Sequence, residues 1–306
     1  MGVVFDADLG NTIDDALALA MLFGLQGKGE ARVISVSTTK SSLKAAVFAD
    51  ILVRFFTGEP NAFAGPIPIG LSLSGAMAAD TPIIEAVTGK QQYPRSIARM
   101  NDTADPLALI RNALSAQVDQ NAVIVLTGPA TNLAALIALP GSREWVASKV
   151  RLLAIAADAQ LAADPAALQR VLAEWPTEIV AVPAEVGDAL PFPASSIEKD
   201  FSWSTAHPLV EAYRAYRAMS YDAPATAMAA ALYAVRPQEN YWKPSEPGTL
   251  SWSAMGLRLA SVAGGKHRML AFDPAQKERI LQAYAETAST KPVGRVQRFR
   301  PPQKKN

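Results

Sequence analysis

The chain of 306 residues contains no cysteine. Disulfides, thiolate catalysis and cysteine-ligated metal sites are therefore excluded. Only His207 and His267 could supply imidazole, too few for a multi-histidine zinc site. There is no charge imbalance either, with 29 basic residues against 28 acidic ones. Neither a nucleic-acid footprint nor a membrane-attracted surface is expected from that balance. No uninterrupted apolar run reaches the roughly 18 residues of a membrane span. No signal peptide precedes the first strand at Val3. A soluble, cytoplasmic protein is expected, or a periplasmic or secreted one if a leader has been removed. The one basic stretch, Arg295 to Lys305 with Pro301 and Pro302, reads as a solvated terminus.

What the chain does have is apolar residues, half of the total. That suffices for one large domain over residues 1–290, followed by a basic, Pro-containing tail at 291–306. Val3–Phe5, Val33–Ser37, Ala122–Leu126, Val150–Ala156 and Glu178–Val182 read as strands. Helices are expected over Ile13–Leu25, Leu43–Phe56, the segment from Asp105-Pro106, Ala130–Ala138 and Asp164–Glu174. Pro66–Ile69 reads as an extended link. This alternation of apolar strands with helices predicts an α/β fold, an open and mostly parallel sheet covered by helices on both faces. The C-terminal third is irregular and helical. Pro191–Trp203 looks like a loop, Leu209–Met219 and Pro224–Val235 like helices, and Thr249–Ser253 with Arg258–Val262 like an antiparallel pair. His207 reads as a helix-entry residue and His267 as a structural residue at a strand start. Trp175, Trp203 and Trp242 read as packing residues.

The chemistry concentrates where the first strand ends, at Asp6-Ala7-Asp8-Leu9-Gly10-Asn11-Thr12-Ile13-Asp14-Asp15-Ala16. Ligands of open parallel sheets gather beyond the carboxyl ends of the strands. Asp6 and Asp8 are two residues apart and share a side if the strand continues. Asp14 and Asp15 fall in the first helical turn, where the helix dipole favours negative charge. Helix capping explains one or two acids, not four. Four carboxylates this close repel one another unless a cation or protons intervene, and calcium takes roughly 6–8 oxygen ligands.

Two families open in this way. Phosphohydrolases of the haloacid dehalogenase type carry Asp-x-Asp after a first strand, but want Thr or Val where this chain has Gly10, and a later lysine and acidic pair. The better match is the inosine-uridine preferring nucleoside hydrolase family. Its Asp-x-Asp-Pro-Gly-x-Asp-Asp-Ala opening resembles this segment, which is two residues longer, as in a bacterial branch. Leu126-Thr127-Gly128-Pro129-Ala130-Thr131-Asn132-Leu133-Ala134 resembles the family's second signature. Weaker similarity continues through Asp164-Pro165, Glu185-Val186-Gly187, Pro208-Leu209-Val210-Glu211 and Leu232-Tyr233-Ala234-Val235 to His267-Arg268-Met269-Leu270.

The resemblance implies a nucleoside hydrolase-like fold, a nucleoside or ribose-like substrate and a calcium ion, and it allows a homo-oligomer. By position, Asp8 matches the metal ligand and general base, Asp15 the bidentate metal ligand, Asp14 the ribose-hydroxyl acceptor, and Thr127 a carbonyl ligand. Asn132 and Lys40 join Asp14 as substrate-binding candidates, and Asp6 is a further acid without an assigned role. Three departures follow. Ala227 stands where the family places a C-terminal aspartate ligand; Asp222, upstream of Pro224, is the nearest acid. The ribose-binding segment after Ile155 is shortened, and Asp158 and Gln160 are poor replacements for it. Thr38-Thr39-Lys40 stands in place of the usual Gly-Asn. As a lysine at a helix start, Lys40 reads first as a surface residue; otherwise its ammonium reaches the acids and replaces part of the metal's charge. Two readings stay open: calcium-dependent hydrolysis of an N-ribosidic bond with Asp8 as base, or a non-catalytic or altered-substrate relative with a degenerate site.

Overall fold

The computed structural model describes residues 1–58, 67–74, 79–253 and 256–292. The tail from Arg295 to Lys305 and the start of the link at Pro66 lie outside the described residues. The strands are β1 (Gly2–Ala7), β2 (Arg32–Thr38), β3 (Ile69–Leu71), β4 (Ala122–Leu126), β5 (Val150–Ala157), β6 (Glu178–Pro183), β7 (Trp242–Pro244), β8 (Gly248–Ser253), β9 (Gly256–Ser261) and β10 (His267–Phe272). The helices are α1 (Asp14–Gly27), α2 (Leu43–Thr57), α3 (Pro82–Thr88), α4 (Pro106–Ser115), α5 (Thr131–Ile137), α6 (Ser142–Lys149), α7 (Pro165–Glu174), α8 (Ala184–Ala189), α9 (Ala194–Lys199), α10 (Pro208–Tyr216), α11 (Thr226–Val235) and α12 (Lys277–Ala288).

The sheet runs β3-β2-β1-β4-β5-β6-β10-β8-β9, with β7 paired to β10. Pairing is parallel from β3 through to β10, and antiparallel in β10–β8, β8–β9 and β10–β7. This is the predicted mostly parallel α/β sheet. β1 is an interior strand between β2 and β4, and every one of its residues is buried. Val3, Phe5 and Ala7 join the core under α1, α2 and α11; Val4 joins Ile124 and Leu126 on the other face under α4, α5 and α7. Fully burying each large apolar side chain contributes ~1.5–3 kcal/mol, and truncating Phe5 to Ala would cost about 3–5 kcal/mol through the cavity left behind.

The chain leaves β1 toward β2 on one side, while β4 lies on the other. The sequence direction reverses between β1 and β4, so their carboxyl ends flank a topological switch point, where such sheets bind ligands. α1 is apolar nearly all round and is buried from Asp14 to Leu25, as expected of a core helix. It packs against α11 and α12. α11 is alanine-rich and wholly buried; its small side chains let it lie close to both α1 and β5.

Several local expectations are corrected. The segment Pro191–Trp203 contains the helix α9, whose first turn is held by Asp222. α10 ends at Tyr216 rather than Met219, and α11 begins at Thr226, two residues after Pro224. His267 is structural as predicted, its Nδ1 accepting from Leu250 N–H at 2.9 Å. His207 does open α10, and it is enclosed by the rings of Phe55, Phe56, Phe201 and Trp203 at 4.5–5.8 Å.

Candidate active site at the sheet switch point

The four aspartates do not form one group. Asp6 is still within β1, and its Oδ1 accepts from Ser37 Oγ at 2.6 Å on β2 and from Asn132 Nδ2 at 2.9 Å on α5. Burial pushes the Asp6 carboxyl up to about 6, with those two donors pulling it back. Asn132, a substrate-binding candidate, is therefore engaged with Asp6. It also lines a cavity of about 610 Å³ with Ser72, Asn101, Thr103 and Thr131, whose wall does not include Asp8, Asp14 or Asp15.

Asp8 lies just past β1, in a turn closed by Asn11 N–H onto the Asp8 carbonyl at 3.2 Å. Gly10 takes φ +96° there, a conformation that disfavours any side chain. Asp8 Oδ2 accepts from Asn11 Nδ2 at 2.5 Å. Asp15, in the first turn of α1, faces Asp8. Burial raises both carboxyls, and the charge of Asp8 drives Asp15 well above the carboxylate range. Thr127, the first residue after β4, donates its N–H to the Asp6 carbonyl at 2.9 Å. Its hydroxyl lies beside Asp15 and favours that residue's ionised form, but without a hydrogen bond of ordinary geometry. Among the described residues, Asp8 Oδ1, Asp15 Oδ2 and Thr127 Oγ1 are buried and have no hydrogen-bond partner. The next residue is Gly128, where a Cβ would come within 2.7 Å of the Asp8 nitrogen. Glycine is what lets the two strand ends approach.

Asp14 points elsewhere. Its Oδ2 accepts from Ala227 N–H at 2.6 Å and its Oδ1 from Met228 N–H at 3.2 Å. The acid of α1 thus caps α11, which has no cap from its own preceding residue. Burial pushes the Asp14 carboxyl up to about 8, against the pull of those N–H donors and with the charge of Asp158 adding to the rise.

Two residues depart from their predicted placement. Lys40 is 1% exposed, not a surface lysine. The turn after β2 holds it, with Thr39 N–H on the Ala7 carbonyl at 2.9 Å and Lys40 N–H on Thr38 Oγ1 at 3.1 Å. Its ammonium donates to Asn11 Oδ1 at 2.5 Å. Burial lowers its pKa, while Asp8 and Asp80 raise it. Asp158, just beyond β5, also belongs to the site. Burial, then the charge of Asp8, push it up to about 6. The shortened loop after Ile155 leaves Asp158 beside the acids, which residue type alone did not reveal. Asp222 is not with them; it accepts from Ala194 N–H at 2.8 Å.

These residues do not fit a resident calcium ion. Asp8 Oδ1 and Asp15 Oδ2 would suit one, but Ala227 presents a backbone N–H where a third carboxylate would stand, and both oxygens of Asp14 are occupied. Lys40 brings a second cation to within one side chain of Asp8. Among the described residues, no three His, Asp or Glu side chains converge as a metal cage does.

The family model of the inosine-uridine preferring nucleoside hydrolases matches residues 3–268. The chain belongs to this family. Several solved structures share its fold. A purine-preferring ribonucleoside hydrolase from Gardnerella vaginalis is 16% identical, with TM-score 0.71 over 94% of this chain and 98% of its own. A plant nucleoside hydrolase, the PpNRh1 enzyme, is 17% identical, with TM-score 0.70 over 94% and 98%. The effector protein XOO4466 is 13% identical, with TM-score 0.65 over 94% and 93%. No curated protein sequence matches the chain. Within this fold Asp8, Asp15 and Thr127 lie together at the switch point, while Asp6 with Asn132 and Asp222 are employed elsewhere. Among the described residues, no helix is long and apolar enough to cross a membrane.

Proposed function

We propose that this chain is an altered-substrate member of the nucleoside hydrolase family that holds a hydroxyl-rich, ribose-like small molecule at the switch-point acids. One observation carries the reading. Outside the contacts of the Asp8–Asp15 pair and of Thr127, Asp8 Oδ1 and Asp15 Oδ2 are buried oxygens without a hydrogen-bond partner, and sugar hydroxyls or water would bond them. A buried acceptor left unpaired costs about 1–3 kcal/mol, so a polyol that satisfies both is favoured. The shortened segment after β5 and Ala227 in α11 argue against ordinary nucleosides as the substrate and against calcium dependence.

A second reading is favoured by Asp8 itself. With its pKa raised by burial and one oxygen unpartnered, Asp8 is suited to take the proton of an attacking water. N-ribosyl hydrolysis of an unusual substrate would follow the oxocarbenium-like course of glycoside cleavage. Asp15 would hold the water's other side and the protein would supply all charge compensation.

Calorimetric titration with ribose and a panel of purine, pyrimidine and nicotinamide nucleosides tests both readings, alongside assays for released base. Saturable binding of a ribosyl compound that D8N abolishes, without calcium-stimulated turnover of inosine or uridine, is expected. Rapid calcium-dependent release of hypoxanthine or uracil would contradict the altered-site reading.

A further inference from the structure

We propose that Lys40, relayed through Asn11, is the built-in cation of the acid site and takes the charge-balancing part that calcium plays in the family. The inference concerns the site of the proposed ligand and rests on that reading only for its functional meaning. A lysine this fully buried is rare unless paired. Here its ammonium donates to Asn11 Oδ1 at 2.5 Å, and the amide of Asn11 passes the polarity on to Asp8 Oδ2 at 2.5 Å. Asn11 lies in the opening segment that is two residues longer than the family's shorter form. The charge of Asp80 also favours the ammonium. The lysine is thus fixed at its backbone and its tip.

A second positive feature faces the site. The N-terminus of the ten-residue helix α11 directs the N–H groups of Ala227 and Met228 at Asp14. A helix N-terminus acts as roughly half a positive charge. The lysine thus opposes Asp8 through Asn11, and the helix end opposes Asp14. Calcium affinity follows the number of ligand charges, and this site lacks one carboxylate at Ala227 while carrying an added ammonium. The same two changes that weaken a calcium site are those that stabilise the acids without it.

The test is calorimetry of the full, chelator-treated chain with calcium alone, with thermal unfolding recorded in parallel. The wild-type chain is expected to give no saturable heat and no rise in Tm. K40M/A227D removes the ammonium and restores a carboxylate, and is expected to bind calcium saturably with a Tm rise of about 5 °C at saturation. Saturable calcium binding by wild type tighter than about 10⁻⁴ M would overturn the inference by itself. So would a K40M/A227D chain with wild-type circular dichroism that still ignores calcium. Calcium binding with ribose binding intact removes this inference and leaves the proposed function. Loss of all ribosyl binding without calcium binding removes the proposed function and leaves this inference.

Discussion

The carboxylate of Asp14 caps α11 through the N–H of Ala227, 2.6 Å away. An acid that the resemblance assigns to ribose is thereby part of the junction between the first helix and the C-terminal one. D14L would leave two buried N–H groups unpaired and is expected to destabilise the fold by about 2–4 kcal/mol. D14N keeps one acceptor and should cost less. Urea unfolding monitored by circular dichroism checks the order.

Stability should fall on both sides of a maximum in pH. His207 sits among aromatic rings, and burial lowers it to about 3. Its folded value is below its unfolded one, so its contribution is whole above about 6.5 and is lost as pH falls toward 3, by up to roughly 4 kcal/mol. Asp14 at about 8 and Asp158 at about 6 are raised instead. Their contribution is whole below about 4 and is lost as pH rises through the folded values. H207F should flatten the acid limb and D14N the alkaline limb of a plot of unfolding free energy against pH.

Asn132 donates to a buried acid, not to solvent. N132D would set two carboxylates face to face, and should destabilise by about 2–4 kcal/mol at pH 8, more than N132A does. The gap between the two variants should narrow at pH 5, where one acid is protonated. Thermal unfolding at both pH values reads it out.

Gly128 allows β4 to end against Asp8. G128A would drive a methyl to 2.7 Å from the Asp8 nitrogen, and overpacking of this kind costs about 1–3 kcal/mol. Lower stability together with weakened ribosyl binding is expected from unfolding and calorimetry. Unchanged ligand affinity would separate Asp8 from the ligand.

Much of the fold was legible because burial on both faces writes continuous apolar runs. The strand Ala122–Leu126 coincides with β4 to the residue. α12 was not read from the sequence, although Ile280, Ala283, Tyr284, Thr287 and Ala288 share one buried face opposite exposed Glu278, Arg279 and Glu286; small and polar residues in that stripe dilute its apolar signal. Of the site, Asp8, Asp15 and Thr127 were legible from spacing and resemblance. Asp6 was grouped with them because spacing within a strand does not reveal which cross-strand donors a side chain will find. Lys40 was misplaced because a lysine at a helix start is ordinarily solvated. Only the long-range contact with Asn11, 29 residues earlier, shows otherwise. Asp158 was named only as a poor replacement for the missing ribose-binding segment, since its position depends on how directly β5 runs into the next turn.

The most direct test is a crystal structure of chelator-treated protein soaked with ribose. The account predicts sugar density with hydroxyls on Asp8 Oδ1 and Asp15 Oδ2, and the Lys40 ammonium still on Asn11. A calcium ion retained between Asp8, Asp15 and Thr127, with Lys40 turned out to solvent, would contradict it.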